Sequence, residues 1–219
     1  PDLYLSASGQ NVLLLSQPDG TLIDATLSLG ADPLAYSTGD EPMGWAGLWV
    51  DHDNDGALDL FTTQGDWWFS SEERTESPIN LLRWAGEGFE EVGDSVGVFG
   101  TGSFRGAVVL DFNADGVQDF LVSTLFGRPL LFLSDGCTQN AWLEVRAPPG
   151  SVVQVSAGGQ TWFDWLTTSS GFGATATPVA HFGLGDAARV DRVEVVLPGG
   201  EVQRRVGPFK ARRTIRFGP

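Results

Sequence analysis

Short apolar stretches recur along the chain, each broken by glycine, proline or a polar turn. Three of them open with an aspartate: DLYLSA (2–7), DLFTTQ (59–64) and DFLVST (119–124). They alternate. In LDLFTT, Leu58, Leu60 and Thr62 fall on one face and Asp59, Phe61 and Thr63 on the other, the period-2 pattern of a strand. A second apolar stretch follows each: NVLLLS (11–16), NLLRWA (80–85) and RPLLFLS (128–134). The first and third begin nine residues after their aspartate and the middle one 21 after it, which places an insertion of about twelve residues in the middle copy. Turn-rich tails come next, and Gly-rich stretches, GWAGLWV (44–50) and FRGAVVL (104–110), precede the second and third copies. The aspartates are 57 and 60 residues apart. A period near 60 with several strands per unit predicts small antiparallel sheets packed on one another, as in propeller blades. A stack of hairpins within a sandwich is the competing arrangement.

The first copy starts at its aspartate: Asp2 takes the slot of Asp59 and Asp119, with nothing of the preceding loop. The pattern therefore predicts incomplete blades over residues 1–137, completed by a missing N-terminal segment or by another polypeptide, because a raw sheet edge invites pairing. After Cys137 the repeat stops. AWLEVRA (141–147), SVVQVSA (151–157), TWFDWLT (161–167), RVDRVEVVL (189–197), EVQRRV (201–206) and RRTIRF (212–217) read as short strands. Gly158-Gly159 and Gly199-Gly200 suit hairpin turns between neighbours. Residues 138–219 are thus expected to form a separate β-rich, sandwich-like domain, making the whole chain all-β.

Composition agrees. The 219 residues include 29 glycines and 12 prolines, and few stretches carry helical periodicity. No run of about 18 apolar residues is present, so no membrane span is expected. Net charge is −15. Residues 201–219 hold six basic side chains against Glu201, a local balance of +5, so the first 200 residues carry −20. A surface that acidic argues against nucleic acid and for cations. The basic tail reads as the outer face of a terminal strand. The single cysteine, Cys137, leaves no internal disulfide and no thiolate pair for zinc.

The acidity concentrates in two loops, DHDNDGALDL (51–60) and DFNADGVQDF (111–120), both of the form D-x-[DN]-x-[DN]-G-x-x-D. Carboxylates this close repel unless a hard cation lies among them, and Ca²⁺ accepts six to eight oxygens at about 2.3–2.6 Å. The expected ligands are Asp51, Asp53, Asp55 and Asp59 with the carbonyl of Ala57 in loop one. In loop two they are Asp111, Asn113, Asp115 and Asp119 with the carbonyl of Val117. Two calcium ions are expected, the first bound more tightly because it meets four carboxylates rather than three. Gly56 and Gly116 supply the sharp turn. An EF-hand is excluded: its twelfth position needs Glu, where this chain has Thr62 or Val122, and the flanks read as strands. His52 lies inside loop one and is expected to point outward between ligands.

Nothing points to catalysis. His52 and His181 are the only histidines, and neither GxSxG nor HExxH occurs. His181, in HFGLG, reads as a strand residue. Of the eight tryptophans, Trp45, Trp49, Trp84 and Trp142 read as core, while Trp67 and Trp68, in the insertion, are candidate contacts for a protein or glycan partner.

With these residues the region 2–136 resembles the FG-GAP/VCBS repeat family, whose calcium loops sit in integrin-α-like propellers. Residues 150–203 resemble the ASPIC/UnbV domain through V-x-V-x-A-G-G (153–159), GFG (171–173), HFGLG (181–185), VDRVEV (190–195) and PGG (198–200). That order of repeats and domain is similar to the cartilage acidic protein group. The resemblance implies a calcium-stabilised module of adhesion, recognition or assembly without catalysis, located extracellularly, at the cell surface or in the periplasm. A carbohydrate-binding module, or an accessory subunit completing a propeller with another chain, is the alternative.

Overall fold

The computed structural model describes residues 2–32, 43–66, 77–136 and 138–218. The chain is all-β, 53% strand and 2% helix. Three antiparallel meanders come first. Strands β1 (Leu3–Leu5), β2 (Val12–Ser16) and β3 (Leu22–Asp24) form one. The second comprises β4 (Met43–Val50), β5 (Asp59–Gly65), β6 (Ser77–Trp84) and β7 (Phe89–Glu91). It is followed by a single helical turn, α1 (Gly93–Val96), and by β8 (Thr101–Gly102), which pairs with β6. The third is β9 (Phe104–Leu110), β10 (Asp119–Thr124) and β11 (Leu130–Phe132). Among the described residues the sheets do not close into a barrel or a propeller.

The alternation along β5 explains how the meanders stack. Every residue of β5 is buried. Leu60 is in register with Leu82, and both pack toward Leu13, Tyr4 and Leu15 of the first meander. Phe61 is in register with Leu81, and both face Phe104, Ala107, Phe120 and Val122 of the third. The Phe61 and Phe120 rings stack with centroids 4.3 Å apart and planes at 15°. One strand therefore serves two cores, one on each face. Gly47 in β4 leaves the space that the Tyr4 ring fills, because any Cβ there would overlap it.

The repeat also recurs in hydrogen bonds. Asp2 Oδ1 accepts the Ser16 N–H at 2.9 Å, Asp59 Oδ1 the Trp84 N–H at 2.8 Å, and Asp119 Oδ1 the Ser134 N–H at 2.7 Å. In each meander an aspartate at the head of one strand clamps the chain at or just past the far end of the strand that follows.

From residue 141 the architecture is different. Strand β12 (Ala141–Arg146) lies between β15 (Val179–Gly185), antiparallel, and β18 (Arg213–Arg216), parallel. The second sheet runs β14 (Gln160–Trp165), β13 (Val152–Ala157), β16 (Arg189–Val196), β17 (Val202–Lys210), all antiparallel. Alternate residues of the two sheets, Leu143, Val145, Phe182 and Ile215 against Val153, Val155, Val193 and Val195, enclose one apolar core. Gly158 and Gly159 take φ of 56° and 82°, the two positive values that a two-residue hairpin between β13 and β14 requires. Arg204, Arg205, Arg213 and Arg216 are exposed, so the basic tail is the solvent side of β17 and β18. No helix of the described residues is long and apolar enough to cross a membrane.

The stacked ring should dominate the stability of the first three sheets. Phe61→Ala is expected to cost about 3–5 kcal/mol in urea unfolding. Phe163→Ala, at a side chain that is 76% exposed, should stay within about 0.5 kcal/mol.

Candidate metal centre

Loop one joins β4 to β5 and loop two joins β9 to β10, so strands rather than helices flank both. The two loops are wired alike. The fourth residue takes the left-handed conformation, Asn54 and Ala114 both at φ 60°, and the glycine follows at 91° (Gly56) or 86° (Gly116). Gly56 N–H donates to Asp51 Oδ2 and Gly116 N–H to Asp111 Oδ2, each at 2.9 Å. Ala57 N–H donates to Asp55 Oδ1 at 2.7 Å and Val117 N–H to Asp115 Oδ1 at 2.8 Å. The final carboxylate reaches back to the loop start: Asp59 Oδ2 accepts the His52 N–H at 3.1 Å, and Asp119 Oδ2 the Phe112 N–H at 2.7 Å.

The loops differ in what converges. In loop one, oxygens of Asp51, Asp53 and Asp55 lie within 4.8 Å of one another. Asp59 sits with His52 and Asp53 within the same limit. In loop two the Asn113 amide occupies the corresponding place. Its Nδ2 donates to Asp115 Oδ2 at 2.8 Å and to the Ser134 carbonyl at 3.2 Å, so a neutral group already bridges that ring. Trp67, Trp68 and Cys137 lie outside the described residues.

Electrostatics set Asp51 apart. It is 4% exposed, and its Oδ1 is buried with no hydrogen-bond partner. Burial pushes its carboxyl up to about 7, and Asp55, Asp59 and Asp53 add to the rise against the Gly56 N–H. Burial also raises Asp55 and Asp119. An orphaned buried oxygen on a member of a three-carboxylate cluster fits a hard divalent cation, which would supply a missing partner and offset the repulsion. His52 does not point outward between ligands, as its loop position led us to expect. Its Nδ1 lies 2.5 Å from Asp59 Oδ2. Burial opposes the charged form there, but the Asp59 contact and the surrounding carboxylates hold the imidazole above its ordinary value. Strand-like alternation of side-chain directions does not hold in a loop that contains a left-handed residue such as Asn54.

The second half of the site comes from the far end of the chain. Asn54 is wholly buried. Its Oδ1 meets His181 Nε2 at 2.7 Å, its carbonyl accepts the Gly185 N–H at 2.9 Å, and its Nδ2 donates to the Gly116 carbonyl at 2.9 Å. Trp162 Nε1 donates to the Gly56 carbonyl at 2.8 Å. Thr138 Oγ1 and Asn140 Nδ2 donate to the Asp53 carbonyl at 2.7 and 3.0 Å. Gly183 has no room for a side chain, since a Cβ would overlap Asp51 Oδ2. Trp142 covers Gly116 in the same way and stacks on His181 with ring planes at 16°. Sequence reasoning missed Asn54, Trp162 and Gly183. A faint signal for the first was Asn placed directly before Asp-Gly, since Asn tolerates the left-handed conformation. Beside loop one a cleft of about 730 Å³ opens between the second and third meanders, lined by Leu81, Phe120 and Leu131 together with His52, Gln118 and Asn140.

Among curated proteins nothing matches this chain. Residues 145–218, the end of β12 through the last described residue, match the family described as ASPIC and UnbV.

Proposed function

We propose that this chain is a calcium-stabilised recognition or assembly module without catalysis, working extracellularly, at the cell surface or in the periplasm. The observation that carries the reading is the buried, unpartnered Oδ1 of Asp51 in a cluster with Asp53 and Asp55. Calcium there is held by Asp51, Asp53 and Asp55, with Asp59 and the Ala57 carbonyl completing the set. Loop two offers Asp111, Asn113, Asp115, Asp119 and the Val117 carbonyl. Bound calcium lets all the carboxylates ionise at neutral pH. The surrounding chain keeps their oxygens in place through the Gly56, Ala57 and Asp55 N–H groups. The three stacked meanders serve as FG-GAP/VCBS-type blades, and the cleft beside loop one as a recognition surface. Extracellular calcium modules bind at about 10⁻⁴–10⁻³ M, well above cytosolic levels, which supports the external location. Both histidines are committed to structure, His52 to Asp59 and His181 to Asn54, which supports a role other than acid–base catalysis.

A second reading, a carbohydrate-binding module, is favoured by Phe163 and Trp165. These rings are 76% and 67% exposed on one face of the edge strand β14, a platform on which a sugar ring can stack. Under this reading Trp165→Ala abolishes retention on a glycan array that wild type binds; wild type that binds no glycan removes the reading.

Calorimetry with Ca²⁺ should give saturable binding. Asp51→Ala should remove the tighter component and Asp111→Ala the weaker; equal losses contradict the ranking.

Asp51→Asn separates charge from shape. Burial pushes the folded Asp51 carboxyl up to about 7 from an ordinary value of 3.8. In that window the metal-free folded chain keeps a proton that the unfolded chain has released, so stability falls as pH rises from about 4 to 7. His181 acts in the opposite sense. Burial lowers it to about 4, so its contribution is intact above the ordinary value of 6.5 and is lost as pH falls toward 4. At pH 8, with a chelator, Asp51→Asn should melt several degrees above wild type. In millimolar calcium the order should reverse, because only wild type gains by linkage. Thermal melts under the two conditions check both halves.

A further inference from the structure

We propose that the calcium loop at 51–59 and the domain that begins at β12 form one thermodynamic unit. Filling the loop and docking β14 and β15 onto it strengthen each other, with Asn54, His181 and Trp162 as positioning residues. The proposal rests on the reading that loop one binds calcium.

The loop's carboxylates at 51, 53 and 55 alternate with backbone that is gripped from outside. The carbonyl of residue 53 is held by Thr138 and Asn140, that of 54 by Gly185, and that of 56 by Trp162. Three carbonyls within four residues are thus fixed by groups from beyond residue 137. Asn54 is the centre of the grip. Because its Nδ2 donates to Gly116, its Oδ1 is the acceptor, and His181 Nε2 must carry the proton. His181 Nδ1 is then bare, and it is buried without a partner. This is the neutral imidazole that burial favours. The bond links residues 127 apart in sequence. Gly183 brings the β15 backbone directly against Asp51.

A loop whose backbone is fixed in this way presents its carboxylates at lower ordering cost than a free one. Coupling of this kind is reciprocal: the factor by which docking raises calcium affinity is the factor by which calcium strengthens docking. Loop two has Ala114 where loop one has Asn54. The Trp142 ring lies over Gly116, and among the described residues no side-chain hydrogen bond reaches this loop from β14 or β15. The coupling therefore belongs to loop one.

The test uses the full chain with Asp111→Ala in every background, so that calorimetry reads loop one alone. Trp162→Phe removes one N–H and keeps an aromatic ring. His181→Phe removes the donor, and His181→Gln restores an N–H donor. Trp162→Phe and His181→Phe should each weaken calcium binding at least about fivefold, the lower end of ordinary coupling, and His181→Gln should recover much of the loss. Hydrogen exchange on the unmutated chain gives the reciprocal reading. Calcium should raise protection over 160–165 and 179–185 together with 51–59. Protection confined to 51–59, or unchanged affinity in both ring variants, overturns the coupling while leaving the calcium site in place. A parent chain that binds no calcium overturns the site and the coupling with it.

Discussion

A carboxylate cannot be buried among other carboxylates without a compensating partner, and the middle of this molecule is built around one such group. Asp51 directly follows β4, donates its N–H to Gln118 of the neighbouring loop and lies under the β15 backbone at Gly183. It stands where the second meander, the third meander and the C-terminal sheets meet. An unpaired buried charge costs several kcal/mol, comparable to the whole stability of a domain. Either a proton or a cation must offset it. Burial has already moved the group to the edge of neutral pH, so the choice between the two falls within the range in which proteins work.

The sheets away from this point need no such device. Their cohesion is apolar and two-sided: Leu60 and Leu82 on one face of the second meander, Phe61 and Leu81 on the other. Polar groups enter along the strands, where Thr63 Oγ1 donates to the Arg105 carbonyl and Gln64 Nε2 to Asn80 Oδ1, and at strand ends, where the ninth loop aspartate has a role separable from any metal. Asp2 accepts the Ser16 N–H as Asp59 and Asp119 accept theirs from Trp84 and Ser134. The clamp is therefore a property of the meander. Metal ligation, where it occurs, is added to an aspartate that already clamps the backbone.

What the sequence made legible was whatever depends on near neighbours. Period-2 alternation identified β5, β10, β13 and β16. The spacing of aspartates identified the repeat, and paired glycines the β13–β14 hairpin. The acidic loops were visible because their oxygens come from one short stretch. The grip on loop one was not visible. His181 and Asn54 are 127 residues apart, and Trp162 looks in sequence like any strand tryptophan until its N–H is found on the Gly56 carbonyl. Gly183 has an ordinary strand backbone. Its lack of a side chain is explained only by the loop pressed against it. His52 was misread for a related reason: side-chain direction inside a loop follows its turns, and the left-handed Asn54 turns this one back toward Asp59.

The same motif has acquired two different settings. At the fourth position loop two carries Ala114, which can do no more than hold the backbone conformation, and its Asn113 amide ties Asp115 to the Ser134 carbonyl within the same meander. Loop two is thus closed largely by its own neighbourhood. Loop one carries Asn54, which has one donor and one acceptor side-chain group to spend on distant partners, and both are spent across sheet boundaries, on Gly116 and on His181. The wiring shared by the loops accounts for the turn, and Asn54, together with the donors of Thr138, Asn140, Trp162 and Gly185 on the loop-one carbonyls, accounts for the junction. Asparagine rather than alanine at this position, facing a histidine on a strand that can approach because its next-but-one residue is glycine, adds a side-chain link to the backbone contacts that Thr138, Asn140, Trp162 and Gly185 already make between loop one and the C-terminal sheets.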